Sequence, residues 1–365
     1  MPTNCNLLII GAGPTGLATA LFLANRGHRP RSVEKARAIA SFSKAFGVNV
    51  RSLKLLEPTG VTQRFVENGR KMANLRLHHG GTHLATLRFA GVDAQYPFMC
   101  VQSQAESERI LEAALAARGI PIERGVEAIG IRIEAGRAIV DLAGAGGTET
   151  VIARHVLGAD GAGSLVRKAL GFRFDGAAYD APWRLWDLDL EIPLDPDDGH
   201  IFLLPRGGMF VVRQRDSIWR VLGSGPHLFD ALPAGTVQGK VHWQSEFQIS
   251  NRVAGRFSKG PVHLAGDAAH IRAGIGARGM NLGIEDAFVF AELFHKTELH
   301  RYDAVRRPIV QKVVRQITRM MSIPRAETAP GQLMRKYPGV VRLAVPLLRS
   351  RIQPWILGLD HDLIT

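Results

Sequence analysis

Cysteine is nearly absent: Cys5 and Cys100 are the only two in 365 residues. Their spacing builds neither a disulfide framework nor a thiolate metal site, so a reducing, cytoplasmic setting is expected. His78, His79 and His83 come closest to a histidine cluster, yet they lack cysteine partners and a ligand-type helical spacing, and no metal is expected. The sequence also lacks an apolar stretch long and unbroken enough to span a bilayer. The apolar run 7–24 is interrupted by three glycines and a proline and has no basic segment before it, which reads against a signal peptide. Internal repeats and low-complexity tracts are missing, which sets aside solenoids and linker-like disorder.

Acidic residues are scarce relative to basic ones. The formal net charge is +13, and residues 301–365 hold twelve Lys/Arg against four Asp/Glu. A solvated basic face is one reading, and a patch for a membrane surface or an acidic partner is another. Nucleic-acid motifs and aromatic–basic interleaving are lacking, so no nucleic-acid partner is expected. Pro324, Pro330, Pro338, Pro346 and Pro354 should chop this tail into short pieces, which reads against a long amphipathic membrane helix. Peripheral membrane contact through the basic C-terminus stays open, as do monomer and homodimer.

What is present suits a globular chain of two closely joined lobes: 46% of residues are hydrophobic and mean hydropathy is near zero. The start reads as strand Asn6–Ile10, glycine turn Gly11–Gly16 and helix Leu17–Arg26. A second strand, His28–Glu34, is weakened by Pro30. Helical patterns recur at Val50–Leu56, Ser107–Arg118, Met280–His295 and Tyr302 to about Met321. A strand meander is expected from Val126 to Val156 and further strands over Trp183–Arg220.

Gly11-Ala12-Gly13-Pro14-Thr15-Gly16 fits G-x-G-x-x-G and sits between an apolar strand and a helix. The first glycine permits the tight turn, the second lets backbone approach a pyrophosphate, and the third lets helix pack on strand. The helix start offers N–H groups and a positive dipole end to phosphates. Glu34, 18 residues after Gly16, is placed to accept ribose hydroxyls. This turn alone leaves NAD, NADP and FAD open, and the nearby Arg29, Arg31, Lys35 and Arg37 could serve a 2′-phosphate.

Two later segments each end an apolar strand at a Gly/Asp corner: Val156–Ser164, leading into Val166-Arg167, and Pro261–His270, leading into Gly279–Ala287. A strand-end aspartate can hydrogen-bond sugar-like hydroxyls. A helix opened by Gly279 and Asn281 can stabilise negative charge on a flat ring.

With the first turn, these segments resemble the FAD-dependent aromatic hydroxylases, the family that includes para-hydroxybenzoate hydroxylase, over about residues 5–295. The resemblance implies an α/β fold: a Rossmann-like FAD-binding domain of glutathione-reductase type, an inserted mixed β-sheet substrate domain and a helical C-terminus. It implies a discontinuous FAD-binding domain over 1–70, 96–175 and 255–295, a substrate domain over 71–95 and 176–254, and a C-terminal helical segment over 296–365. Gly11, Gly13, Pro14, Thr15 and Gly16 would hold the FAD pyrophosphate, and Glu34 and Lys35 would lie at the adenosine ribose. Gln104 would contact the flavin side of the cofactor, Asp160 and Gly161 would serve FAD and NAD(P)H, and Gly266 and Asp267 the ribityl chain. Gly279, Met280 and Asn281 would border the flavin's pyrimidine edge. Lys44-Ala45 and Arg51-Ser52 resemble the family's stretch beside the flavin, with Lys44 where arginine is usual.

Between the last two motifs Gly274 replaces a proline beside the reactive face of the flavin, and Arg278 replaces a glutamine. These departures suggest a looser wall, added charge and an acidic or bulky substrate. Arg215, in Arg213-Gln214-Arg215, occupies the place of the arginine that holds a substrate carboxylate in para-hydroxybenzoate hydroxylase. Trp183, Trp186, Phe202, Met209, Phe210 and Trp219 are candidates for an apolar pocket. His270 reads as structural, and no protein acid–base is assigned.

The activity implied is hydroxylation of a small phenolic or polycyclic aromatic substrate. NADPH or NADH would act as transient electron donor and O2 would react through a flavin hydroperoxide. A related FAD-dependent epoxidase, dehydrogenase or reductase is the alternative, as is a non-catalytic flavin-binding regulatory protein. A carboxy-terminal thioredoxin-like domain is not expected within these 365 residues, in which the chain resembles the family's short hydroxylases.

Overall fold

The structure, a computed structural model, describes residues 2–41, 45–178, 182–205, 207–271, 278–322, 336–337 and 339–364. Lys44, Gly274, Pro324, Pro330 and Pro338 lie outside the described residues.

Leu7, Leu8, Ile9 and Ile10 are all buried, as befits a strand covered on both faces. That strand, Thr3–Ile10, pairs in parallel with Arg31–Glu34 on one side and with Gly147–Gly158 on the other. Gly147–Gly158 pairs in parallel with Val262–Leu264. Register fixes the consequence: Ile10 lies opposite Gly158, and Gly158 opposite Leu264. The three chain corners that follow therefore emerge on one edge of one sheet, where α/β proteins place their ligands. Backbone bonds from Ala159 N to Ile10 O (2.8 Å) and from Ala265 N to Gly158 O (3.0 Å) lock them together.

The meander is present as Glu127–Glu134, Arg137–Gly144 and Gly147–Gly158. The second strand is only Arg31–Glu34, because Pro30 has no N–H for the ladder. Helix Gln104–Ala116 begins three residues before the expected Ser107, at the point where the Ser103 hydroxyl accepts the Glu106 N–H.

A second sheet of seven strands runs in the order Val237–Phe247, Trp183–Glu191, Ile218–Ser224, Gly208–Arg215, Asp198–Leu203, Asn74–His79 and Thr82–Arg88. It is mixed, since Asp198–Leu203 and Asn74–His79 are parallel. Its inner face (Trp183, Leu185, Val212 and Leu222) joins the main core. Its outer face (Leu188, Phe202, Met209, Val211, Trp219 and Val221) forms a separate cluster.

The tail departs from expectation. Helix Gly339–Leu357 contains both Pro346 and Pro354. Tertiary packing outweighs the prolines: Val341, Val345, Trp355, Ile356 and Leu357 are buried. Arg342 and Gln353 donate to the His83 and Arg88 carbonyls of the neighbouring strand. Among the described residues no helix is long and apolar enough to cross a membrane.

Strand Val262–Leu264 also carries a titratable core group. His263 is 2% exposed, bonded to Ser258 Oγ at 2.8 Å, and pushed down to about 3 by burial and then by the charge of His155. Unfolded, it would bind a proton below about pH 6.5. The unfolded state therefore gains protons first, and stability must fall as pH drops from about 6.5 towards 3. At pH 5 the loss from this group reaches at most about 2 kcal/mol. Melting curves at pH 7 and pH 5 should show a drop that His263→Asn reduces; an identical drop in the variant would exclude this origin.

Candidate nucleotide site and the facing sheet

Close backbone approach dictates two of the three glycines. Gly11 has φ +106°, and a Cβ there would lie 2.3 Å from the Ala159 carbonyl oxygen. A Cβ on Gly16 would lie 1.9 Å from Gly11 O. Gly13 differs: no protein atom lies within 4 Å of its would-be Cβ. It caps helix Pro14–Asn25 without a side-chain hydrogen bond, so the helix start faces open space with its N–H groups. Pro14 takes the first helical position, where its missing N–H costs nothing.

Glu34 stands beside this turn. One carboxylate oxygen accepts Ala12 N (2.7 Å) and the other Ala36 N (2.9 Å), while the adjacent Lys35 is exposed. Thr15 takes a packing role: its Oγ1 occupies the space a Cβ would need at Gly266 (2.4 Å) and at Gly283 (2.2 Å). The first and third corners thereby touch. At the middle corner, Asp160 Oδ2 accepts Val166 N at 3.2 Å. Asp160 Oδ1 is buried with no partner among the described residues, an arrangement that a ligand hydroxyl would complete. Asp267 is exposed on the short turn Gly266–Ala268, and Gly161 has φ +77°.

Gln104 opens its helix, bonding Ala45 O through its N–H (3.2 Å) and Glu108 through its side chain (2.8 Å). Asn281 is fully buried; its side chain accepts Asn49 N (3.0 Å) and donates to Gly47 O (2.9 Å). It ties helix Arg278–His295 to the segment after Ala45. Met280 is buried beside it, and Gly279 meets no atom within 4 Å of a would-be Cβ.

Beneath the third corner lies a charge cluster. Asp286 Oδ2 accepts Gly266 N (2.9 Å) and contacts His270 Nε2 (2.6 Å), and its Oδ1 accepts from Arg306 Nε (2.9 Å). Arg306 also reaches Glu285 at 3.3 Å, and Glu285 contacts His361 at 2.8 Å. His270 is thus a buried structural group. Arg306, which the sequence reading did not single out, holds two carboxylates; a Glu-Asp pair inside an apolar helix was the available signal.

Two substrate-side expectations need correction. Arg215 is exposed at the end of its hairpin next to Asp216, outside both buried faces of the sheet. Arg278 is 1% exposed and bonds Asp360 (2.9 Å) and the Trp355 carbonyl; its charge is matched internally and adds none to an open wall. Of the six aromatic and methionine candidates, Trp186, Phe202, Met209 and Trp219 belong to the outer cluster. Trp183 and Phe210 face the main core, and Phe210 stacks on Phe46 with centroids 5.4 Å apart.

The inner face instead carries Arg220, which pattern reading missed. Its Nε and Nη2 donate to the two Asp187 oxygens at 2.8 and 2.7 Å. The guanidinium lies 5.7 Å from the Phe46 ring and 5.6 Å from Trp243. Strand alternation could have found it, because Arg220 lies opposite Val212 and Asp187.

Among known proteins, the FAD binding domain model matches residues 4–220 and 226–317. The 6-methylpretetramide 4-monooxygenase of Streptomyces rimosus is 30% identical over 304 residues, covering 78% of this chain and 54% of that protein. Pentachlorophenol 4-monooxygenase of Sphingobium chlorophenolicum is 28% identical over 337 residues, covering 84% and 63%. The chain thus spans between half and two thirds of the length of these curated relatives. The crystal structure of p-nitrophenol 4-monooxygenase from Pseudomonas putida DLL-E4 superposes with a TM-score of 0.87 at 22% identity, covering 99% of this chain and 100% of that one, and shares its fold. Three strand-end corners on one sheet edge, an open glycine turn and a family match over most of the length lead to one assignment: the chain belongs to the FAD binding domain family.

Proposed function

We propose that this protein is an FAD-dependent monooxygenase that hydroxylates a phenolic or polycyclic aromatic substrate, with NADPH or NADH as electron donor and O2 as oxidant. FAD, when bound, supplies the reducible ring at which oxygen is activated. Gly11, Gly13 and the start of helix Pro14–Asn25 would hold its pyrophosphate, Glu34 its adenosine ribose, and Asp160, Gly266 and Asp267 its sugar-like chain. Gly279, Met280 and Asn281 would border the ring. Residues 1–70, 96–175 and 255–295 are read as the flavin unit, and 71–95 with 176–254 as the substrate unit.

The observation that carries the substrate reading is the inner sheet face. It is apolar around Trp183, Leu185, Val212 and Leu222, and its arginine is already paired with Asp187. These residues are buried in the core, and a substrate body placed against that face would be flat, uncharged and shielded from water. The named relatives act on a pretetramide and on a chlorinated phenol, which agrees with that chemistry. Because the bound ring supplies the reactivity, this chain's residues bind, orient and exclude water.

A cytoplasmic setting fits the two free cysteines, Cys5 and Cys100. The exposed Leu343 and Leu347, beside Arg349 and Arg351 on the tail helix, favour peripheral contact with an anionic membrane surface.

The test is to load purified protein with FAD and screen neutral phenols, polycyclic phenols and aromatic acids for stimulated NADPH oxidation with gain of one oxygen atom. Neutral phenols should stimulate oxidation at least tenfold over the substrate-free rate. NADPH consumption without oxygen incorporation would favour a reductase. Lack of stimulation across the panel would favour a flavin-binding protein without turnover.

A further inference from the structure

We infer that Asp360 and Arg278 form a charge pair through which the carboxy-terminal turn sets the field at the start of helix Arg278–His295, and with it the ease of reducing a bound flavin. The inference rests on the reading that Gly279–Asn281 border that flavin.

Arg278 is the first residue of the helix and is buried. The helix start already carries the positive end of a dipole, and Arg278 adds a whole cation there. Its Nη1 lies 2.9 Å from Asp360 Oδ1, and it also donates to the Trp355 carbonyl. Burial opposes ionisation of Asp360, yet the hydrogen bond from His361 and the charge of Arg278 hold its carboxyl at about 2. At neutral pH the pair is therefore Arg⁺ and carboxylate.

The turn that brings Asp360 here is firmly seated. Arg51 donates to the carbonyls of Gly358 and His361, and His361 Nε2 contacts Glu285 at 2.8 Å. Gly358 has φ +81°, and a Cβ there would lie 2.5 Å from Asn49 Nδ2. Asn49 in turn is bonded by Asn281. The tail thus grips both the start of the helix and the segment that Asn281 fastens to it.

An uncancelled cation near a flavin stabilises the extra negative charge of its reduced form, and an uncancelled carboxylate does the reverse. At a separation of about 10 Å and an effective dielectric near 20, one unit charge moves that equilibrium by roughly tenfold.

The experiment uses the full chain loaded with FAD and compares Asp360→Asn, Arg278→Gln, the double variant and Arg278→Lys. The reduced-to-oxidised flavin ratio is read against a redox dye at fixed poise, with FAD affinity and melting temperature measured alongside. Asp360→Asn should raise the ratio about tenfold and Arg278→Gln should lower it. The double variant should return to within about threefold of wild type, and Arg278→Lys, which keeps the charge, should stay there. Packing damage would shift both single variants in the same direction, and that result overturns the inference. If FAD binds and no ratio moves, the inference alone falls; if the wild-type chain takes up no FAD, the flavin reading falls with it. Should either single variant fail to fold, the double variant and Arg278→Lys still decide: a tenfold departure in either one overturns it.

Discussion

Gly16→Ala is expected to yield a protein that neither accumulates in folded form nor retains FAD. Its Cβ would sit 1.9 Å from Gly11 O and 3.4 Å from the Ile9 side chain. The obstacle is backbone and cannot swing away. Gly11 N is bonded to Val33 O (2.8 Å) and Leu17 N to Gly13 O (3.0 Å), so relief requires moving the first helix off the sheet. Overpacking of this kind costs about 3 kcal/mol or more. Gly13→Ala makes the informative comparison, because its methyl meets nothing in the protein. The variant should melt within about 2 °C of wild type and yet bind FAD roughly 10- to 100-fold more weakly, by filling the space through which backbone would approach the pyrophosphate on the proposed reading. Melting curves and FAD titration of the two variants separate fold from ligand. Unchanged FAD affinity in Gly13→Ala would show that no phosphate lies over this turn.

The three strand-end corners were legible because each is written in local sequence. Gly11, Gly13 and Gly16 encode backbone distances, and the apolar strands that end at Asp160 and Gly266 announce where the chain turns. Parallel register then does the rest, since Ile10, Gly158 and Leu264 lie side by side. The second sheet is written in pairings between distant strands. Arg215 matched a motif by position, yet it lies at the open end of a hairpin, whereas Arg220 on the next strand points inward and meets Asp187, 33 residues away. Arg278 read as surplus charge because its partner, Asp360, is 82 residues distant. Prolines in the tail read as breakers because burial of Trp355, Ile356 and Leu357 cannot be seen in composition.

The second large effect is expected at Asp286. Asp286→Asn keeps the shape of the side chain and removes its charge, which leaves Arg306, fully buried, with Glu285 as its carboxylate contact at 3.3 Å. Breaking a buried pair in this way typically costs about 3–5 kcal/mol, and urea unfolding at pH 7 should show a loss of that order. FAD affinity should fall as well, because Asp286 also accepts the N–H of Gly266, which is held at φ +58°. The pH dependence follows from the carboxyl itself. Burial opposes its charge, but the charges of His270 and Arg306 hold it at about 2, against about 3.9 when unfolded. The stabilisation is therefore complete above about pH 4 and is lost as pH falls through about 2. The gap between wild type and Asp286→Asn should accordingly be widest at neutral pH and close towards pH 2. A gap that stays constant over that range would mean that the shape of the side chain, and not its charge, holds the Gly266 corner. A variant as stable as wild type at pH 7 would mean that the cost of burying this carboxylate cancels what its partners return.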